Sequence, residues 1–263
     1  MTEPTRAPSA LDQLADRFVD EYAADQPTVA TYTGVAGHDD RWPDYTPDGR
    51  ATTAELIRRT VAEVRATEPV DRRDEVARSA MLERLGAELA LHDAGWTQAS
   101  LNTIESPLQD LRTTFDLMPT GTEQDWATIA RRIAAIPAAL EGLAAGLTDA
   151  AGKGRVSAAR QVRLTAGIAR RWTGGTDRPG FYEQFVSGAT VPASLRADLD
   201  RAATGAHAAL GRFADVLERD LLPRAPEADG VGRERYALES RYFTGMDLDL
   251  EETYAWGLSL IHI

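Results

Sequence analysis

The sequence predicts an all-α fold, an array of antiparallel helices, and three observations carry that prediction. Apolar residues recur at steps of three and four over long stretches, as they do along one face of a 3.6-residue helix. Ser, Thr or Asp stands at the start of several of those stretches with a carboxylate three residues on, the pattern of a capped helix start. The 13 prolines and 21 glycines fall mostly between the periodic segments, where they end elements rather than break them. No segment reads as a convincing strand or an internal repeat.

The elements follow in chain order. Met1 to Pro8 is polar and expected to be disordered. Ser9 and Asp12 form a capping box, in which each side chain satisfies a backbone donor of the first turn. The helix they open carries Leu11, Leu14, Ala15, Phe18, Val19 and Tyr22 on one face. Pro27 suits the first turn of a short second helix that Gly34 ends. From Gly34 to Arg50, GVAGHDDRWPDYTPDGR has no period and three turn signals, and reads as a long structured loop. Thr52 with Glu55 then opens a helix that turns Leu56, Ile57, Val61 and Val64 to the core. Asp71 begins a longer one carrying Val76, Ala80, Met81, Leu85, Leu89 and His92, stopped near Gly95. A shorter helix spans about Leu108 to Leu117, between Pro107 and Pro119.

Thr122 and Asp125 cap the most regular stretch of the chain. Trp126, Ile129, Ile133, Ile136, Leu140, Leu143 and Leu147 make one continuous apolar stripe. Pro137 lies inside it and removes a helix hydrogen bond, which predicts a kink. Gly152 and Gly154 close the stretch. Helices from about Ser157 to Trp172 and from Ala193 to Leu222 follow, the second with Leu195, Leu199, Ala202, Ala206, Leu210, Phe213, Leu217 and Leu221 on one side. After Pro223 and Pro226 a helix runs from about Arg233 to Phe243, and Asp249 with Glu252 caps one more. Mostly short connections make neighbouring helices antiparallel.

That last helix is capped, yet little chain follows its cap. The final residues, Leu258-Ser-Leu-Ile-His-Ile263, also change character, with two isoleucines in three positions. Back-translated, LSLIHI matches a transposase adapter end used in sequencing libraries. Residues 258–263 are therefore expected to be a non-native tail, His262 receives no functional weight, and 9–257 are expected to be the N-terminal helical part of a larger domain.

Composition removes whole classes of function. A net charge of −12 argues against a nucleic-acid partner, because phosphate binding needs clustered cations. The absence of cysteine excludes disulfides, iron–sulfur clusters, thiol nucleophiles and Cys-type zinc sites. The N-terminal residues lack the apolar core of a secretory signal. No apolar run approaches the roughly 20 residues of a bilayer span, so no membrane partner is expected and the expected location is cytoplasmic. Lys153 is the single lysine among 29 basic residues, a bias that points to a GC-rich genome rather than to special arginine chemistry.

Zinc hydrolysis in a helical protein calls for two imidazoles one turn apart with a carboxylate beside the metal-bound water, as in H-E-x-x-H. None of His38, His92, His207 or His262 belongs to such a motif, and Glu88 with His92 only share a helix face. There is no phosphate-binding glycine loop and no G-x-S-x-G elbow. Arg170-Arg171-Trp172 before Gly174-Gly175 offers an anion site, although cations also suit a helix C-terminus for reasons of stability alone. No catalytic residue, cofactor-binding residue or metal ligand is assigned.

One loop concentrates chemistry. His38, Asp39, Asp40, Arg41 and Trp42 place an imidazole, two carboxylates, a guanidinium and an indole in a single segment. The functional reading is a substrate-cleft loop. The structural reading has the aspartates closing turns, Arg41 pairing with one of them and Trp42 docking the loop. Met118 and the aromatic set Tyr236, Tyr242 and Phe243 read as core.

Three stretches together resemble one family: ATYTGVAGHDDRWPDYTPDG at Ala30 to Gly49, FVSGATVPASL at Phe185 to Leu195, and GRERYALESRYFTGMDLDLEETYAWG at Gly232 to Gly257. They are similar to the bacterial proteins grouped as domain of unknown function 885, and lie in order along nearly the whole chain. That family resembles helical zinc metallopeptidases such as carboxypeptidase Taq and the thimet-type oligopeptidases. The resemblance implies an H-E-x-x-H in a C-terminal half that this sequence does not include. It therefore implies the N-terminal half of a peptidase-like hydrolase, inactive alone, with zinc and a peptide-like or small-molecule substrate belonging to the parent protein. The missing half would be this fragment's partner. A non-catalytic helical binding protein on a degenerate peptidase scaffold is the alternative.

Overall fold

The computed structural model describes residues 6–261. Its elements are helices: α1 (Ala10–Asp25), α2 (Pro27–Thr33), α3 (Pro47–Ala66), α4 (Arg72–Asp93), α5 (Pro107–Thr113), α6 (Glu123–Ala134), α7 (Ile136–Gly152), α8 (Ala159–Trp172), α9 (Phe181–Ser187), α10 (Ala193–Val216), α11 (Arg233–Thr244) and α12 (Leu250–Ile261). The only extended pairing among the described residues is an isolated bridge between Gly175 and Arg178. The fold is all-α, as the sequence predicts.

Two compact units share the chain. One comprises the described residues of Met1–Phe18, Ala54–Ala94 and Gly230–Ile263, the other Val19–Thr53 and Gly95–Asp229, so the division falls within α1 and α3.

The larger unit is built around α10, which packs on α6, α7, α8 and α9. The stripe read from the sequence faces this core, with Ile129, Ile133, Leu140, Leu143 and Leu147 buried against Leu199, Leu210, Phe213 and Leu217. The kink expected at Pro137 appears as a break at Ala135, and Pro137 sits in the first turn of α7, where no hydrogen bond is lost. By length and composition Glu123–Gly152 would pass for a membrane span, contrary to the sequence expectation, but half of its most apolar window is buried inside the protein. After Val216 the helix widens into a π turn, Leu217–Leu221, which keeps Leu217 and Leu221 both buried.

The smaller unit has a modest core of Leu11, Leu14 and Val64, with Ala77, Met81 and Leu82 packed against it. The Ser9–Asp12 capping box is present in both directions, at 2.9 and 3.0 Å. Asp74, 1% exposed, accepts from Arg6 at 2.6 Å, Ser9 Oγ at 2.9 Å and the Val70 N–H at 3.1 Å. Arg6, in the segment expected to be disordered, is thereby tied to the start of α4, while residues 1–5 lie outside the described ones.

Several expectations are corrected. α3 starts at Pro47 rather than at Thr52: Thr46 caps it by accepting from the Gly49 N–H at 3.1 Å, and Thr52 is an interior residue bonded to the Asp48 carbonyl. Val19 and Val76 are more than half exposed, since α1 and α4 bury narrower faces than their apolar content suggests. Tyr236 and Phe243 are surface residues, not core. Helix α9 is a further element that the periodicity did not reveal. The four-residue stretch at 258–261 continues α12, and His262 lies outside the described residues.

Candidate functional site

The loop between α2 and α3 lies in the larger unit, and its position is set by a residue on α6. Arg132 is wholly buried. Its Nη1 donates to Thr31 Oγ1 at 2.7 Å and lies 3.6 Å from Asp39 Oδ1, and Thr31 Oγ1 donates in turn to the same Asp39 oxygen at 2.6 Å. Nη2 lies 3.4 Å from the Pro27 carbonyl. The guanidinium also covers the Trp42 ring, 4.5 Å from its centroid, and the indole N–H donates to the Arg132 carbonyl at 2.9 Å. Burial pushes the guanidinium down to about 10, against the opposing pull of Asp39. It stays charged at neutral pH, so the loop carries a buried cation compensated chiefly by Asp39, Thr31 and an aromatic face.

The remaining loop residues face outward from this anchor. His38 Nδ1 accepts from Arg41 at 2.7 Å, which makes that nitrogen the unprotonated one. Asp40 lies between two cations, 3.7 Å from Arg41 and 3.4 Å from Arg131 of α6. The chain then passes over α7 at close range. A Cβ at Gly146 would meet the Tyr45 carbonyl oxygen at 2.8 Å, and one at Gly142 would stand 3.3 Å from the Thr46 methyl.

A second titratable group is bonded to Tyr32, the residue that follows Thr31 on α2. Tyr32 donates from its hydroxyl to Asp110 of α5 at 3.2 Å and lies 2.9 Å from Thr113 Oγ1. Burial pushes the Asp110 carboxyl up to about 6, with the hydrogen bond from Tyr32 opposing and the charge of Glu105 assisting. Tyr45, fully buried nearby in the same unit, is pushed up mainly by burial and further by Asp110.

Arg131 also lines a groove of about 530 Å³ between α6, α7 and α10, whose walls include Ala130, Pro137, Leu195, Asp198 and Arg201. That volume lies within the usual range for small-molecule sites. The small residues leave room at the break between α6 and α7, and the two arginines and one aspartate supply the polar contacts.

The other sequence candidates do different things. Arg170 is held by Asp215 at 2.8 Å and Glu218 at 2.5 Å, so it ties α8 to the α10 region rather than presenting an anion site. His207 Nε2 accepts from the Tyr182 N–H at 3.2 Å at the start of α9, and burial lowers its basicity. Glu88 and His92 lie on α4 in the smaller unit, each engaged with neighbouring groups. Met118 is buried, with its sulfur 3.8 Å from Arg132. Among the described residues no group of three or more His, Cys, Asp or Glu is arranged to hold a metal ion. The described residues do not fit a zinc site.

Sequence reasoning missed Arg132 and Asp110, both on helices where a charged residue normally faces water. The signal for Arg132 was its place beside Ile129 and Ile133 within the apolar stripe.

A family model described as bacterial protein of unknown function (DUF885) matches residues 27–263. No curated protein matches the chain. Among solved structures, the crystal structure of "the putative lipoprotein from Colwellia psychrerythraea" superposes with a TM-score of 0.79 at 13% identity, covering 97% of this chain and 50% of that one. The chain thus spans about half the length of the solved protein it resembles, and at that identity the likeness shows the fold alone.

Proposed function

Because the chain belongs to the DUF885 family of bacterial proteins of unknown function, we propose that it is the N-terminal helical part of a longer, zinc-dependent peptidase-like hydrolase. In this reading it supplies one wall of a substrate cleft and none of the metal ligands. The loop His38–Trp42 and the adjoining groove form that wall, and the substrate is a peptide or a small molecule. The single observation that carries the reading is the contact between Asp40 and Arg131, which joins an immobilised polar loop to a groove of ligand size. A loop fixed by a buried cation suits binding, since ordering costs are met before the ligand arrives. Zinc, bound by residues of the longer protein that this sequence does not contain, would supply Lewis acidity. The described residues would bind and orient substrate. A cytoplasmic location is part of the same proposal.

The test needs the longer protein. In a full-length family member, hydrolysis of peptide or small amide substrates should be lost to a chelator and restored by zinc. Replacing the counterpart of Arg131 by Ala should raise KM on the order of tenfold with little change in kcat, the mark of lost uniform binding. Substrate binding without turnover, in a protein lacking H-E-x-x-H, would favour the non-catalytic binding scaffold instead.

A further inference from the structure

The smaller unit ends in two helices that bury almost nothing. Neither α11 nor α12 has a buried residue, and large apolar side chains on them stand in solvent: Phe243 is 72% exposed, Tyr254 67% and Trp256 62%, with Tyr236 of α11 and Met246 of the intervening turn also more than half exposed. Single exposed apolar residues are ordinary, but aromatic ones in this number within one short segment mark an interaction surface. The helices are nonetheless fully specified. Arg84 of α4 donates to the Tyr242 carbonyl at 2.6 Å and lies over the Tyr242 ring, 5.0 Å from its centroid. Arg233 pairs with Glu251, and Asp249 caps α12 by accepting from the Glu252 N–H at 3.0 Å.

We infer that the exposed face of α11, α12 and the turn between them, formed by Tyr236, Phe243, Met246, Tyr254 and Trp256, is the seat of a second folded body carried by the same polypeptide in longer members of the family. This rests on the reading of the chain as part of a longer protein. What favours that occupant over a second copy is the solved relative: 97% of this chain superposes on it, and as much chain again lies outside the superposition. None of the five side chains falls in residues 258–263, so the inference does not depend on whether that tail is native.

The experiment pairs two proteins, this chain and a full-length family member, each with and without Phe243→Glu, Tyr254→Glu and Trp256→Glu or their counterparts. In this chain the three charges should leave the thermal midpoint within about 2 °C, because surface changes cost little. They should cut the fluorescence of bound anilinonaphthalene sulfonate by roughly threefold, since exposed apolar surface is what the dye reports. In the longer protein the same changes should lower the midpoint by more than about 5 °C and speed hydrogen exchange in the segment aligned with 236–256. An unchanged midpoint and exchange in the longer protein would overturn the inference. So would a stable dimer of this chain that the charges dissolve while the longer protein is unaffected, because the face would then seat a second copy. Neither midpoint nor exchange depends on peptidase activity, which is assayed separately, so a protected face in a long protein found inactive would refute the hydrolase reading and leave this one standing.

Discussion

Arg132 and Trp42 hold each other twice: the guanidinium lies 4.5 Å from the centroid of the indole, and the indole N–H donates to the carbonyl of Arg132 at 2.9 Å. The two residues are 90 positions apart, so this reciprocal contact fastens the α2–α3 loop to α6. Arg132→Ala should cost about 3 kcal/mol, because it removes a buried cation together with its packing and leaves Asp39 without its countercharge. Trp42→Phe keeps an aromatic face and gives up the hydrogen bond, at about 1 kcal/mol. Urea midpoints at constant slope measure both, and an Arg132→Ala variant within 1 kcal/mol of the parent would show that the anchor is not structural.

Asp110 gives a pH dependence of defined sign. Its folded value near 6 exceeds the usual 3.8, so the folded state holds this proton more tightly than the unfolded one. The stability it contributes is complete below about pH 4 and is lost as the pH rises through about 6. Asp110→Asn should therefore stabilise the protein by roughly 1–2 kcal/mol at neutral pH, a figure reduced for partial solvent screening. The advantage should shrink toward zero near pH 4. An equal difference between variant and parent at both ends would dismiss the assignment.

Gly146 tests how closely the loop approaches α7. An added methyl would meet the Tyr45 carbonyl at 2.8 Å, and a backbone atom cannot swing aside as a side chain can. Gly146→Ala should destabilise by about 1–3 kcal/mol despite its better helix propensity. Gly152→Ala, at the end of the same helix with open space around it, should be near neutral. If the two variants melt together, the close passage of the loop is wrong.

Zinc affinity is the simplest measurement. With His38 bonded to Arg41 and His207 to the Tyr182 amide, the 263-residue chain should bind zinc in the high-micromolar range or weaker, about what isolated surface ligands give. One zinc per chain retained through dialysis would reveal a site, and α4 around Glu88 and His92 would be the first place to probe.

Much of the fold was readable because its signals are local. Thr122 and Asp125 form the complete capping box that their spacing implies, and Pro27 and Gly34 bound α2 as their backbone preferences require. The start of α3 was misplaced because Thr52 and Glu55 imitate a cap within a helix that Thr46 and Pro47 had already begun. Helix α9, seven residues long, is too short to show a period. The candidate loop was legible as a concentration of chemistry. Its anchor was not, since no local rule brings Arg132 of α6 to Asp39, or Asp110 of α5 to Tyr32. Those pairings are products of packing.

The buried guanidinium also limits how this loop can change. Its contacts come from the Pro27 carbonyl, the Thr31 hydroxyl, the Asp39 carboxylate and the Trp42 ring, four groups spread over 16 residues of chain. Removing the Asp39 carboxylate strands a charge that the hydroxyl, the carbonyl and the ring cannot neutralise. A designer moving His38–Trp42 to another scaffold would have to transplant α2 and a turn of α6 along with it. Within the family the anchor should accordingly change as a block or not at all.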